Sequence, residues 1–377
     1  MKLLSIGTDR KLFEEGSGVF LRTVEYGSKF KEMHVVVFSL RKHGLENYKK
    51  NNLFFYPTNS SSRWFYVFDA LRIAKKLTIH EGFSPNSTVV TCQDPFETGL
   101  VGYFLKRKFH LPLQLQLHTD FLSEYFRRDF LNMLRVFIAN FTLQRADGIR
   151  VVSSVISDSI KKRFPNLKAK ITVLPIFVDT DKMINREVGF SSQGSLVSIA
   201  MVSRFAKEKR IEDGIYSFKK VLENNSKARL SIVGTGPEKE NILSKISELK
   251  LESYVKVSEW ENDVILVFKK ANIFLLTSEY EGYGMTLIEA GASGCPIVTT
   301  NVGVAKTDLF VDGFNSHICP VGDVDCIANK LNDLIRNPEK RKLFKQRMQD
   351  NIRAISIGRD EYVSRYTGLI KELIKND

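Results

Sequence analysis

The sequence predicts an α/β protein of two domains, each built on an open parallel sheet. Three observations carry that expectation. The chain runs to 377 residues, more than one hydrophobic core ordinarily supports. Short apolar runs alternate with longer stretches of helical period in both halves, the order that yields parallel strands joined by right-handed crossovers. A polar stretch at 179–195, with Ser191-Ser192-Gln193-Gly194 near its end, separates the two series as an interdomain linker would.

In the first half, strands are expected at 2–6, 34–39, 53–56, 88–92, 113–117, 148–152 and 171–174. Between them lie helical patterns. Trp64, Val67, Phe68, Leu71 and Ala74, spaced by threes and fours, predict a helix that packs Trp64, Phe68 and Leu71 on the sheet. The second series places strands at 195–202, 229–233, 254–257, 272–277, 296–299 and 315–318. Tyr362, Tyr366, Leu369 and Leu373 then mark a closing helix over 359–375. The expected division is a domain at 1–180, a second at 195–355, and a tail at 356–377 that packs back toward the first. Ligands of such sheets bind outside the strand C-terminal ends, so two facing sheets would share a cleft there.

Hydrophobic content of 43% and charged content of 26% are ordinary for a soluble globular chain. No apolar run reaches the ~18 residues of a membrane span. The apolar opening 1–7 is cut off by Asp9-Arg10-Lys11, too early for a secretory signal. Cys92, Cys295, Cys319 and Cys326 are scattered, with neither zinc-ligand nor CxxC spacing, which suits a reducing compartment. A cytoplasmic protein without a structural metal is the expectation. The formal net charge of +13 is lopsided: residues 1–180 hold 27 basic and 16 acidic side chains, the remainder 29 and 27. An anionic partner for the first half follows, whether nucleic acid, anionic lipid or a phosphorylated substrate; a merely soluble basic surface is the bland alternative.

The chemistry concentrates at 278–290. Gly282 and Gly284, between an apolar strand and a helix, can bring backbone N–H groups close to a ligand, and the helix behind them favours negative charge at its start. Glu289 lies about one turn into that helix, where a carboxylate could hold both hydroxyls of a ribose. Glu281, in the loop, would face a transferred sugar. Arg204 and Lys209 leave the 195–202 strand together. Preoriented cations there would stabilise the charge that builds on a departing diphosphate, at about 3–4 kcal/mol for one such contact.

These residues resemble a known family. Glu281 and Glu289, in a Glu-Gly-Tyr-Gly…Glu-Ala setting, resemble the E-x7-E motif of family 4 (group 1) retaining glycosyltransferases of the GT-B fold, two Rossmann-like domains facing a central cleft. Ser203-Arg204-Phe205…Lys209, Val233-Gly234-Thr235-Gly236-Pro237-Glu238, Arg145-Ala146-Asp147-Gly148 and Val173-Leu174-Pro175 are similar to further motifs in the same order. The resemblance implies a nucleotide-diphosphate sugar as donor substrate, with no cofactor and no metal. Arg204 and Lys209 would hold its diphosphate, Glu281 its sugar and Glu289 its ribose. The backbone at Tyr283, Gly284 and Met285, with Gly234, would touch sugar and phosphate. Gly16-Ser17-Gly18 resembles the loop that closes over the donor phosphates, and His118 matches a histidine near the reacting sugar, with Asp120 placed to orient it. The family's Asn-Gly pair after the proline is Ile176-Phe177 here. Asp179-Thr180-Asp181 and Asp323-Val324-Asp325 look like a metal-binding D-x-D, but Asp323 reads better as a helix N-cap.

The expected activity is sugar transfer, with retention of configuration, to a glycan or lipid-linked acceptor of the cell surface. The acceptor would dock on the basic first domain, where Lys106-Arg107-Lys108, Lys161-Lys162-Arg163-Phe164 and the 63–77 helix mix basic and aromatic residues. A peripheral seat at the inner face of the plasma membrane would suit that mixture. A nucleotide-sugar epimerase of the same fold is the rival enzyme. A nucleic-acid-binding protein is the rival from charge alone, and it leaves Glu281 and Glu289 without a role.

Overall fold

A computed structural model describes residues 1–187, 196–259 and 263–374. The polar stretch 191–194 and residue 195, where the second series begins, lie outside them, as does residue 375. The chain divides into two compact units, Met1–Pro175 with Gly358–Asp377, and Ile176–Ile357.

The first unit carries β1 (Lys2–Gly7), α1 (Gly18–Gly27), β2 (Glu32–Val37), β3 (Tyr48–Lys50), β4 (Leu53–Pro57), α2 (Tyr66–His80), β5 (Thr88–Cys92), α3 (Glu97–Phe109), β6 (Leu113–Leu117), α4 (Phe130–Leu143), β7 (Gly148–Val151), α5 (Ser154–Arg163) and β8 (Lys170–Val173). Its sheet runs β3-β4-β2-β1-β5-β6-β7-β8, parallel throughout except for β3, which pairs antiparallel with β4. Strand β6 reads Leu-Gln-Leu-Gln-Leu and is buried on both faces. Leu113 and Leu115 meet α3, whose Gly102 and Gly99 leave room for them. On the other face Gln116 meets the closing helix.

The second unit carries α6 (Thr180–Asn185), β9 (Val197–Val202), α7 (Ile211–Leu222), β10 (Ala228–Val233), α8 (Lys239–Glu248), β11 (Val255–Ser258), α9 (Val264–Lys270), β12 (Ile273–Leu276), α10 (Met285–Ala292), β13 (Ile297–Thr300), β14 (His317–Cys319), α11 (Val324–Arg336) and α12 (Pro338–Ile355). Its strands are all parallel, in the order β11-β10-β9-β12-β13-β14. Helix α7 buries Ile211, Ile215, Phe218 and Val221 on one stripe, against Ile327, Leu331 and Leu334 of α11. Where polar composition points to a linker, 180–185 folds as α6, capped by the Asp179 side chain on the Lys182 N–H. Asp323 caps α11 in the same way, through the Cys326 N–H. The cysteines depart from expectation: Cys319 and Cys326 form a disulfide, while Cys92 and Cys295 are buried thiols.

Helix α13 (Arg359–Lys371) belongs to the first unit. Its anchor is a buried polar cluster. Arg150, on β7, donates to the Leu174 and Pro175 carbonyls, to Gln116 Oε1 at 2.7 Å and to the Tyr362 hydroxyl at 2.8 Å. Gln116 Nε2 reaches the Tyr366 hydroxyl at 3.1 Å, and Tyr26 of α1 packs on the Tyr366 ring at 4.6 Å. Among the described residues only neutral oxygens satisfy this guanidinium, so each of them matters. Replacing Arg150 with alanine strands several buried acceptors and is expected to cost about 3 kcal/mol of first-unit stability. A urea titration read by tyrosine fluorescence checks it; an unchanged midpoint would deny the cluster that role.

Candidate functional site

The second sheet reverses direction at β9, with β10 and β11 on one side and β12 to β14 on the other. Lys209 lies beyond the end of β9 and Glu281 beyond the end of β12, so topology brings their loops together at the reversal. Lys209 Nζ donates to Glu281 Oε1 at 2.7 Å, and the Ser278 hydroxyl donates to the same oxygen at 2.7 Å. Both charged side chains are largely buried. The loops are also tied through the backbone. Thr277 Oγ1 donates to the Lys209 and Arg210 carbonyls, and the Glu279 N–H donates to the Glu208 carbonyl at 2.8 Å.

Gly284 takes φ +94°, a left-handed turn that opens α10. The N–H groups of Met285 and Thr286, in the first turn, have no intrahelical acceptor and can face an anion. Tyr283 is buried, and its carbonyl accepts from the Val304 N–H at 2.7 Å. The β13 loop approaches so closely here that a Cβ on Gly303 would stand 2.6 Å from the Tyr283 carbonyl oxygen and 2.8 Å from Glu281 Cβ. Glu289 follows on α10. Among the described residues its carboxylate has no hydrogen bond or ion pair, and burial raises its pKa above the ordinary carboxyl value. A half-buried acceptor without a donor is one that a ribose diol could complete.

Arg204 and Gly234 have partners of their own. Arg204 sits on the outside of its loop, 70% exposed, with its guanidinium 2.6 Å from Glu208. The structure therefore pairs Lys209 with Glu281 and Arg204 with Glu208. Gly234 has a supporting position: a Cβ there would stand 1.9 Å from the Ser203 carbonyl oxygen. Gly236 is similarly crowded by Phe205, whose N–H donates to the Thr235 carbonyl at 2.8 Å. This glycine turn lets the Arg204 loop lie against the end of β10.

In the first unit the sheet reverses between β1 and β5. Gly16, at φ +90° with open space around it, and Gly18 flank Ser17, which caps α1 through the Phe20 N–H. His118 follows β6 and is half-buried. Burial and the Arg150 charge hold its pKa down to about 3, so its ring is neutral at physiological pH. Asp120 accepts from the Leu122 N–H at 3.2 Å. Asp94, just past β5, is pushed up to about 6 by burial and then by Glu97, while accepting from the Phe96 and Thr98 N–H groups.

The basic patches are relocated. Lys106, Arg107 and Lys108 close α3, and Lys161, Lys162 and Arg163 close α5. Helices that follow parallel strands end at the opposite edge of the sheet, so neither patch borders the functional edge. Trp64 and Phe68 do not pack on the sheet but are 81% and 66% exposed; α2 buries Ala70, Ala74, Leu77 and Thr78 instead. Phe130, Leu131, Met133, Leu134 and Phe137, at the start of α4, are also exposed. These two aromatic clusters, with Arg63 and Arg127 beside them, lie at the strand C-terminal edge. Glu32, His34 and Glu81 hold donor atoms within 4.8 Å of one another at the other edge, where Lys2 already supplies a cation 2.6 Å from Glu32. Sequence reasoning missed Ser278, Gly303, Asp94 and the α4 face. Their common signal was position directly after a strand or at the head of a helix.

Comparison with known proteins bears on the same residues. Residues 18–182 match the family described as glycosyltransferase family 4, and residues 190–372 match glycosyl transferases group 1. The chain is 25% identical over 248 residues to the N-acetyl-alpha-D-glucosaminyl L-malate synthase of Bacillus anthracis, covering 64% of this chain and 63% of that protein. It is 24% identical over 246 residues to the alpha-monoglucosyldiacylglycerol synthase of Streptococcus pneumoniae, covering 61% and 53%. The matches thus span less than two thirds of those relatives. Among solved structures, Anabaena HepE in complex with UDP superposes with a TM-score of 0.75 at 16% identity, covering 99% of this chain and all of that one.

The unpartnered Glu289 yields a prediction of sign. Its carboxyl holds a proton more tightly folded than unfolded, so its contribution to stability falls as pH rises from near 4.5 through the raised folded value. Glu289→Gln is therefore expected to raise the melting temperature of the ligand-free protein at neutral pH and leave it nearly unchanged in acid. Melting curves across pH check this; a variant less stable at neutral pH would contradict it.

Proposed function

Because the chain belongs to the group 1 glycosyltransferases, we propose that it moves a sugar from a nucleotide-diphosphate sugar to a glycan or lipid-linked acceptor in cell-surface polysaccharide or glycolipid synthesis. The observation that carries the proposal is the buried Lys209–Glu281 pair at the sheet reversal, beside the α10 start and the unpartnered Glu289. The fold is GT-B, two parallel-sheet α/β domains. The UDP bound by HepE makes a UDP-sugar the first donor to test.

In this reading the α10 N–H groups and Lys209 receive the diphosphate. Glu289 accepts from the ribose hydroxyls, and Glu281 holds both Lys209 and the donor sugar. Arg204 swings from Glu208 to the phosphate when donor binds. Transfer proceeds with retention by attack on the face the diphosphate leaves. The bond from anomeric carbon to phosphate oxygen breaks, the bond to the acceptor oxygen forms, and the departing phosphate oxygen takes the acceptor's proton. Lys209 and Arg204 supply the positive charge, without a metal. Neutral His118 is suited to hydrogen-bond the donor sugar without adding charge. A glycosyl-enzyme adduct trapped by Glu281→Gln would count against same-face attack.

The acceptor side is assigned to the first unit, which carries the excess positive charge. The exposed clusters on α2 and α4, with Arg63 and Arg127, would suit a lipid-linked acceptor at an anionic surface. Among the described residues no helix is long and apolar enough to cross a membrane.

A thermal-shift panel of UDP-, GDP-, ADP- and dTDP-sugars tests the proposal on the wild type and on Lys209→Ala. One donor at 100 times its dissociation constant is expected to add about 2.7 kcal/mol of stability to the wild type. Lys209→Ala should lose most of that shift and about 100- to 1,000-fold in kcat. Equal shifts in both proteins would refute the site.

A further inference from the structure

The second unit holds a cavity of about 530 Å³ at the edge opposite the Lys209–Glu281 pair. It opens where Asn272 leads into β12, Pro296 leads into β13 and α10 ends at Ser293-Gly294. Five basic side chains line it, Arg186, Lys269, Arg341, Lys342 and Lys345, against the single acid Glu187. Two of the five are already engaged. Arg186 forms a two-pronged pair with Asp263, and Arg341 donates to the Leu334 and Ile335 carbonyls. Lys269 reaches only the Ile184 carbonyl, at 3.3 Å. Among the described residues, Lys269, Lys342 and Lys345 have no carboxylate in ion-pair reach.

Helix stability does not account for this grouping. Lys342 and Lys345 stand beyond the first turn of α12 and short of its last, so the helix dipole gives these cations no support. Lys269 is crowded by its neighbours, since burial, Lys345 and Arg186 all make its ammonium easier to deprotonate. Like charges held together without an anion are costly, and an anion removes the cost. A second observation is independent of charge. Ser293 lines the cavity and is 2% exposed, and its hydroxyl has no hydrogen-bond partner among the described residues. Buried hydroxyls are nearly always paired, so this one lacks a ligand atom.

We infer that this cavity binds a phosphorylated small molecule, with Lys269, Lys342 and Lys345 around its phosphate and the Ser293 hydroxyl donating to it. Three ammonium groups and a hydroxyl suit a tetrahedral dianion, since lysine recognises phosphate as a compact point charge. The volume lies within the range of small-molecule pockets and leaves room for an organic group beyond the phosphate. The site stands apart from the proposed donor site and fails or survives without it. Helix α10 nonetheless joins the two, its first turn at the donor edge and its last at the cavity.

Calorimetric titration of the full chain with glucose 6-phosphate, at fixed ionic strength, tests the inference. Saturable binding is expected in the wild type and, undiminished, in Lys209→Ala, whose donor site is disabled. Lys342→Ser/Lys345→Ser should weaken it more than tenfold, and Ser293→Ala severalfold with the charges intact. Both altered lysines are exposed, and an unchanged melting temperature without ligand confirms that the double variant folds. The inference is overturned if binding is absent, if it disappears in Lys209→Ala, if it persists in the double variant, or if inorganic phosphate binds equally well.

Discussion

The chemistry of the second unit depends on one contact, the short ion pair between Lys209 and Glu281. Neither charge could sit buried alone, because an uncompensated ion in that environment costs several kcal/mol, about 3–5 when a partner is removed. Each therefore fixes the other. The loop after β9 cannot move without stranding Glu281, and the loop after β12 cannot move without stranding Lys209. Ser278 adds a second donor to the shared oxygen, and the Thr277 hydroxyl binds the carbonyls of Lys209 and Arg210. The sheet order makes this possible, since β9 and β12 are spatial neighbours separated by more than 70 residues of chain. A reversal in strand order leaves a gap above the sheet, and the ion pair lies at its base.

Around that pair the structure accepts local costs that its own stability does not require. Gly284 is left-handed, and so is Arg210, at φ +46°, a conformation that side chains bearing a Cβ rarely adopt. Gly234 and Gly303 hold backbones closer than any other residue would permit. Glu289 is half-buried, with no donor among the described residues. The close glycine turns let the loops pack on one another, whereas the Glu289 carboxylate is left for a bound ligand to satisfy. Strain and unpaired polar groups gather where function demands them, while the rest of the sequence agrees with its fold.

The strands were the most legible part of the sequence. Parallel strands buried on both faces read as short apolar runs, and 88–92 and 113–117 coincide with β5 and β6. The antiparallel β3 went unread because Tyr48-Lys49-Lys50 carries no apolar pattern; it is an edge strand that needs none. Helix faces were harder. Trp64, Phe68 and Leu71 have the spacing of a buried stripe, yet the buried stripe is Ala70, Ala74 and Leu77. Periodicity reports that a helix is two-sided and not which side faces the core, and small residues mark the close approach to the sheet. Charge patches posed the same difficulty. Lys106 to Lys108 and Lys161 to Arg163 are helix-terminal cations that complement the dipole, one of them held by Asp147 at 2.6 Å. The site motif located Lys209, Glu281 and Glu289, but spacing alone could not show that Arg204 pairs with Glu208. That choice is made by side-chain pairing within the loop.

In the first unit the same logic links the end of the chain to the edge of the sheet. Arg150 owes its burial to the Tyr362 hydroxyl, the Gln116 amide and two backbone carbonyls, none of which neutralises it. Its charge therefore extends outward and adds to the burial that keeps the His118 ring neutral. A carboxylate in place of Tyr362 would quench that field and favour the imidazolium. Helix α13 thus does more than cover a sheet face. By satisfying the Arg150 guanidinium with the Tyr362 oxygen, it keeps an unneutralised positive charge near a histidine that burial already holds neutral.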